Sequence, residues 1–151
     1  MPTTTGIRQL IYNTAAQSLN TSTGLVAVTG FSVPLAAGKS CRVRGWVPFA
    51  LAGTASGAKF QLVPPTSPTL YLFSWKLYSG ASTGSLAAFA DQTTSAAFSN
   101  ALASAANHLL EFDAFVTANT AGNLILQFAQ LTSDAANITI LQGATMDVTL
   151  L

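Results

Sequence analysis

The stretch that decides the fold is the last one, "NLILQFAQLTSDAANITILQGATMDVTLL" (123–151). It contains two acidic residues, Asp134 and Asp147, and no basic residue. Its apolar residues recur mainly at every second position, and the run breaks at Gln142 and Gly143. A period of two is typical of half-buried β-strands, whereas a helix repeats every 3.6 residues. This region therefore predicts strands that pack into a core, and Gly143 predicts a bulge or a positive-φ turn.

The same period continues through most of the chain. Strand patterns occupy "GLVAVTGFSVPL" (24–35), "CRVRGWVPFALAG" (41–53), "KFQLV" (59–63), "TLYLFSWKLYS" (69–79) and "HLLEFDAFVTA" (108–118). Pro48 suggests that the second of these lies at an edge or contains a bulge. Residues 80–106, rich in Ala, Ser and Thr, fit either a short helix or short strands. About eight to ten short strands at regular spacing predict an all-β antiparallel sandwich or barrel.

The composition limits the classes of partner. Only 7% of the 151 residues are charged and the net charge is +1, against roughly 25% charged residues in an average domain. This balance gives no electrostatic case for nucleic acid or for a membrane surface, and we expect neither a signal peptide nor a transmembrane helix. So few charges favour association, which predicts surface buried against other subunits. A neutral, hydroxyl-rich soluble surface is the alternative.

The catalytic residue types do not form a constellation. His108 is the only histidine, and its apolar neighbours favour a core position over a general base. Cys41 is the only cysteine and is interpreted as a buried structural thiol. Glu111 and Asp113 share one face of a strand, as an acid/base pair or a hard-cation site requires, but a solvated strand face is the commoner explanation. The sequence therefore predicts no enzyme, no cofactor and no metal.

Two further clusters have alternative interpretations. Arg42 and Arg44 share a face and, with Lys39, form the only basic cluster; three charges are too few for nucleic acid, and a carboxylate of a neighbouring chain is the suggested partner. The alternation in 69–79 places one set of large side chains on a single face, which suits either a carbohydrate platform or a sandwich core, and the core is favoured. That set is Tyr71, Phe73, Trp75 and Leu77.

Two segments carry a resemblance to a known family. "AGNLILQFAQLTSDAANITILQGATMDVTLL" (121–151) resembles the C-terminus of many structural proteins of tailed-bacteriophage virions, and "STGLVAVTGFSVPLAAGKSCRVRGWVPFAL" (22–51) resembles their opening strand pair. The chain has Gly143-Ala144 where the family has Gly-Ser, and it ends on two leucines where a basic ending is frequent. The resemblance covers roughly residues 20–151.

The resemblance implies a jelly-roll β-sandwich like the globular heads of tumour necrosis factor and complement proteins, assembled as a homotrimer. The two terminal strands would then be central, with one side in the core: Leu124, Leu126, Phe128, Ile138, Ile140, Met146, Val148 and Leu150. The opposite side, nearly uncharged, would contact two other subunits. The candidate subunit-interface residues are Ile125, Gln127, Leu131, Thr145, Thr149 and Leu151.

The functional expectation is a non-enzymatic virion component on the capsid surface. The domain is assigned to residues 21–151 and residues 1–20 to an arm outside the sandwich, with Leu10, Ile11 and Tyr12 as candidate capsid-attachment residues. The partners would be the chain itself and the major capsid protein or another virion protein. The leading hypothesis is a capsid decoration (cement) protein. The alternative is a receptor-binding or fibre-tip module that recognises a host glycan or surface protein.

Overall fold

The computed structural model describes residues 6–80, 85–102 and 105–151, and their regular structure is entirely β. The strands are β1 (Ile7–Tyr12), β2 (Gln17–Leu19), β3 (Val26–Leu35), β4 (Ser40–Leu51), β5 (Ala58–Val63), β6 (Leu70–Ser79), β7 (Ser85–Gln92), β8 (Phe98–Asn100), β9 (Asn107–Thr117), β10 (Gly122–Gln130), β11 (Ile138–Ile140) and β12 (Thr145–Leu150). Residues 80–106 had allowed a helix; their described part forms β7 and β8 instead.

The strand pairing is nested from the ends of the chain to its middle. β1 pairs with β12, β2 with β11, β3 with β10, β4 with β9, β5 with β8 and β6 with β7, all antiparallel. The chain is thus one long hairpin with its tip between β6 and β7, rolled into two sheets. The large sheet has the order β1-β12-β4-β9-β6-β7, with β11 and β2 beside β4, and the small sheet has the order β3-β10-β5-β8. This is a jelly-roll β-sandwich, so the sandwich that the strand spacing predicted and the jelly roll that the resemblance implied are both confirmed.

The core lies between the two sheets. Along β4, β6, β9 and β12 every second residue is buried, because successive side chains of a strand point to opposite faces. The predicted core residues of β10, β11 and β12 are fully buried, except that Leu150 is half-buried and packs against the cluster. Tyr71, Phe73, Trp75 and Leu77 also lie in this core, so the core interpretation of the aromatic strand is confirmed.

Pro48 does not lie at an edge, because β4 is a central strand between β9 on one side and β12 and β11 on the other. The β12 ladder ends opposite Trp46 and the β11 ladder begins opposite Phe49. Pro48 occupies the gap between these two ladders, where its carbonyl accepts from Leu141 N at 3.0 Å. Its missing N–H therefore costs no ladder hydrogen bond.

The described part of the predicted arm belongs to the large sheet. β1 pairs with β12 over six residue pairs and β2 pairs with β11 over three. The expectation that residues 1–20 lie outside the sandwich is therefore wrong for 6–20, while residues 1–5 lie outside the described residues. This segment pairs with strands of the same chain and needs no second chain to form its hydrogen-bond ladder.

Candidate assembly surface

The sandwich presents two outer faces. We call the outer surface of the large sheet the large-sheet face; register and burial place on it Arg8, Leu10, Tyr12, Arg42, Arg44, Trp46, Leu70, Leu72, Ser74, Lys76, Tyr78, Leu86, Asp91, Glu111, Asp113, Phe115, Thr145, Asp147, Thr149 and Leu151. We call the outer surface of the small sheet the small-sheet face; it carries Ala27, Thr29, Ser32, Pro34, Lys59, Gln61, Val63, Ser99, Asn123, Ile125 and Gln127. The two faces differ sharply in charge.

Charge is concentrated on the large-sheet face. Of the chain's six basic and five acidic residues, eight lie there: the basic residues Arg8, Arg42, Arg44 and Lys76 and the acidic residues Asp91, Glu111, Asp113 and Asp147. Four charges of each sign make the face neutral as a whole, although it is highly charged locally. Such a surface is complementary to a surface of the same kind and favours neither a polyanion nor a polycation.

Two carboxylates organise the basic side chains. Asp147 accepts two hydrogen bonds from Arg8 Nε, at 2.9 Å to Oδ1 and 3.1 Å to Oδ2, and also contacts Arg8 Nη2. Asp113 accepts from Arg42 Nε at 3.0 Å and from Arg44 Nε at 3.2 Å. The suggested neighbouring-chain partner of Arg42 and Arg44 is therefore replaced by a carboxylate on β9 of the same chain.

These contacts shift the acid–base equilibria of both carboxyl groups. The hydrogen bond from Arg42 lowers the pKa of Asp113, with a smaller contribution from Arg44. The hydrogen bond from Arg8 lowers the pKa of Asp147 below its ordinary value of 3.8. Both carboxylates therefore remain charged at neutral pH. Each of the three arginines thus has a carboxylate partner on the large-sheet face.

The large-sheet face also carries most of the exposed apolar surface. Eight large hydrophobic side chains are exposed among the described residues, and seven lie on this face: Leu10, Tyr12, Trp46, Leu70, Leu72, Leu86 and Leu151. Leu10 is 62% exposed, Trp46 52% and Leu72 46%. Single exposed hydrophobic residues are ordinary on a protein surface, but seven of the eight on one face distinguish it from the rest of the described surface.

A groove of about 950 Å³ crosses this face beside the ion pairs. Arg42 and Asp113 line it together with Leu72, Phe115 and Leu151, so apolar contact and fixed charge meet in one depression. A second group surrounds Trp46, which is paired in register with Glu111 on β9. Glu111 in turn accepts a hydrogen bond from the Tyr78 hydroxyl at 3.1 Å.

The small-sheet face differs from the large-sheet face in its charge and in its exposed hydrophobic side chains. Its one charged residue is Lys59, whose ammonium group is bonded to the carbonyl of Thr23. Its strands carry mostly small or amide side chains, and Ile125 and Gln127 are half-buried. None of the eight exposed large hydrophobic side chains of the described residues lies on it. The small-sheet face has the composition of an ordinary solvated surface.

The structure divides the sequence-predicted interface residues between the two faces. Thr145, Thr149 and Leu151 lie on the large-sheet face, whereas Ile125 and Gln127 lie on the small-sheet face and Leu131 follows the end of β10. The reason is the nested pairing, which places β10 between β3 and β5 and β12 between β1 and β4. The six residues therefore do not form one surface.

The capsid-attachment candidates are divided by strand alternation. Leu10 and Tyr12 point outward on the large-sheet face, while Ile11 is half-buried and packs against the core. Sequence reasoning missed Trp46 and Phe115 as surface residues. The signal for Trp46 was present in "RVRGW" (42–46), since a residue two positions beyond Arg44 shares its face.

The catalytic candidates are placed in structural roles. His108 is 3% exposed; its ring stacks on Phe49 with centroids 5.2 Å apart, and its Nδ1 accepts from Gly80 N at 3.2 Å. Cys41 is fully buried, and burial raises the pKa of its thiol to about 11. Across the ranges that the structure describes, no group of three or more His, Cys, Asp or Glu side chains could hold a metal ion, and no helix is long and apolar enough to cross a membrane.

Comparisons with known proteins give one kind of match. No family model matches the chain, and no curated protein matches it. Among solved structures, infectious bursal disease virus, Gx strain, matches over 96% of this chain and 36% of that chain, with 12% identity and a TM-score of 0.24. The VP2 subviral particle of infectious bursal disease virus matches over 97% and 41%, with 12% identity and a TM-score of 0.26. The chain thus spans well under half the length of these proteins, and the fold assignment rests on the strand pairing.

Proposed function

We propose that the protein is a non-enzymatic structural component of a bacteriophage virion, a capsid decoration protein. In this proposal it binds the outer surface of the shell as a homotrimer and stabilises the shell. Support comes from the jelly-roll sandwich, from the resemblance of residues 20–151 to virion structural proteins, and from the structural roles of His108 and Cys41.

The observation that carries the proposal is the concentration of apolar and charged side chains on the large-sheet face. A monomer gains nothing from exposing Trp46, Leu70 and Leu72 on one sheet, whereas association removes their apolar area from water at about 25 cal/mol per Å². The neutral balance of fixed charges makes a copy of the same chain the fitting partner. In the proposed trimer the large-sheet faces meet and the small-sheet faces remain outside.

A specific observation also favours the alternative, a receptor-binding module at a fibre or tail tip. The half-exposed Trp46 ring lies beside Glu111 and Tyr78, with a depression of about 460 Å³ next to them. An aromatic platform beside a carboxylate and a hydroxyl group is the chemistry that binds a sugar ring. This arrangement competes with the trimer for the same face, so the two functions are distinguishable.

The location of the protein on particles tests the proposal. We expect antibody-labelled or difference-density images of purified particles to place it on the shell at regular positions. Shells without it should lose their contents at a lower temperature and should regain stability when the purified protein is added. Labelling confined to the tail tip would favour the receptor-binding function, and absence from particles would overturn both.

A further inference from the structure

The free edges of the two sheets differ in how they are protected against pairing with another chain. An unpaired edge strand presents a row of N–H and C=O groups, and proteins block such edges with short strands, prolines, bulges, charges or covering groups. Among the described strands the edges are β1, β2 and β7 in the large sheet and β3 and β8 in the small sheet.

Four of these edges are protected. β2 and β8 have three residues each. β3 contains Pro34 and the positive-φ residue Gly30, and the Gln17 side chain caps its edge by donating to Ala27 O at 3.0 Å and accepting from Thr29 N at 2.7 Å. β7 has a register shift against β6 and carries Asp91 near its end.

β1 is the least protected of the described edges. Its sequence, IRQLIY, contains no proline and no glycine, and its six pairs with β12 run without a register shift. Its one charge, Arg8, is held by Asp147. Three of its side chains, Ile7, Leu10 and Tyr12, are at least 60% exposed. β1 is therefore an open template for another strand.

The hydrogen bonds at the end of β1 identify the groups that face the free edge. Asn13 N donates to Ala144 O at 3.0 Å, and Asn13 O accepts from Gly143 N at 3.1 Å, so the polar groups of Asn13 point toward β12. Because backbone polar groups alternate along an antiparallel strand, the N–H and C=O groups of Arg8, Leu10 and Tyr12 point to the free edge. Their side chains lie on the large-sheet face.

We propose that β1 pairs antiparallel with β1 of a second copy, about a two-fold axis through Leu10. In this register Leu10 lies opposite Leu10 of the second copy, and Arg8 lies opposite Tyr12 of the second copy. In this pair the exposed Tyr12 ring of the second copy covers the aliphatic stem of Arg8. The outward side chains of both copies lie on one continuous face. This contact goes beyond the proposed trimer, because it is made by the backbone groups at the edge of the sheet, although the side chains of these residues border the large-sheet face.

A cysteine pair tests the register directly. Residues directly opposite in such a pair have Cα atoms about 5.5 Å apart, within the roughly 4.4–6.8 Å that a disulfide requires. Leu10→Cys should therefore form a disulfide-linked dimer under mild oxidation, and the buried native Cys41 should not interfere. The matched control is Tyr12→Cys, whose two copies would lie about 14 Å apart, four residues along the strand. No linkage in folded Leu10→Cys, or equal linkage in Tyr12→Cys, would overturn the proposal.

A proline variant tests the edge without breaking the intrachain ladder. The N–H of residue 10 points to the free edge, so Leu10→Pro removes only a donor that β12 does not use. We expect this variant to remain folded and to lose edge dimers, whereas Leu10→Thr keeps them. In a Leu72→Asp background, which targets the proposed trimer contact, Leu10→Cys should still cross-link. Its failure there, with the protein folded, would refute an edge contact independent of the trimer.

Discussion

The two outer faces are built from the same kind of strand in the same sandwich, yet they differ in what they present to solvent. The large-sheet face carries eight charged residues and seven exposed large hydrophobic ones, while the small-sheet face carries Lys59 alone among the charged residues. Folding needs only the inward positions of a strand to be apolar. The outward positions are therefore free to serve a role other than folding. Only those of the large sheet combine many charged residues with exposed large hydrophobic ones.

The positions of the side chains on the large-sheet face depend on the core packing on the inner side of the sheet. Gly45 lies between Arg44 and Trp46 on the inner side of β4, where an added Cβ would be 1.9 Å from Phe112 Cε1. Gly45→Val should therefore lower the free energy of unfolding by about 3 kcal/mol or more, because an overpacked core forces the ring and backbone apart. Urea unfolding measures the change.

The matched control for this substitution is Gly24→Ala. Its added Cβ would meet only Ser22 Oγ at 3.5 Å, so we expect a change within about 0.5 kcal/mol. Equal unfolding midpoints for the two variants would show that the Phe112 ring moves aside freely. The packing of Gly45 against Phe112 would then not constrain the large sheet.

The turn that leads into β12 also contributes to the stability of the large sheet. Gly143 has φ +87°, and an added Cβ would meet no atom within 4 Å, so the strain is confined to the backbone. Gly143→Val should cost about 1–3 kcal/mol, because a β-branched residue resists this conformation. Gly143→Asn should cost less, since asparagine enters the left-handed region more readily. Thermal unfolding of both variants measures the difference, and equal losses would contradict the backbone explanation.

The smallest expected effect is on how the free energy of unfolding depends on pH. It differs between a variant of the large-sheet face and a variant of the small-sheet face. The folded-state pKa of Asp147 lies below 3.8 because of the Arg8 hydrogen bond, so its contribution is present above that value. The contribution is lost as the pH falls through the lowered folded-state pKa. Asp147→Asn should therefore flatten the acid side of the stability profile. Lys59→Gln on the small-sheet face should keep the wild-type slope below pH 3.8, and a slope unchanged by Asp147→Asn would contradict the role of this pair.

The sequence predicted the sandwich and its core because alternation along a strand is a local signal. Leu124, Leu126 and Phe128 are buried as expected, and Gly143 adopts the expected positive φ. The sequence failed where the outcome depends on which strands become neighbours. Alternation shows that Ile125 and Thr149 point away from the core, but only the nested pairing shows that they lie on opposite sides of the molecule. The same pairing made the predicted arm a strand of the large sheet.

Sedimentation equilibrium of three purified chains tests the central claim most directly, which is that the large-sheet face is where copies of this protein meet. We expect wild type to sediment at three times its 15.6 kDa chain mass, or at a multiple of that trimer where β1 edges also pair. Leu72→Asp should weaken the trimer contact at least about tenfold, since 1.4 kcal/mol of lost interface energy suffices. Ile125→Asp, an equally outward position on the small-sheet face, should leave the association of wild type intact. A wild-type monomer, or dissociation by Ile125→Asp with Leu72→Asp unaffected, would contradict the claim.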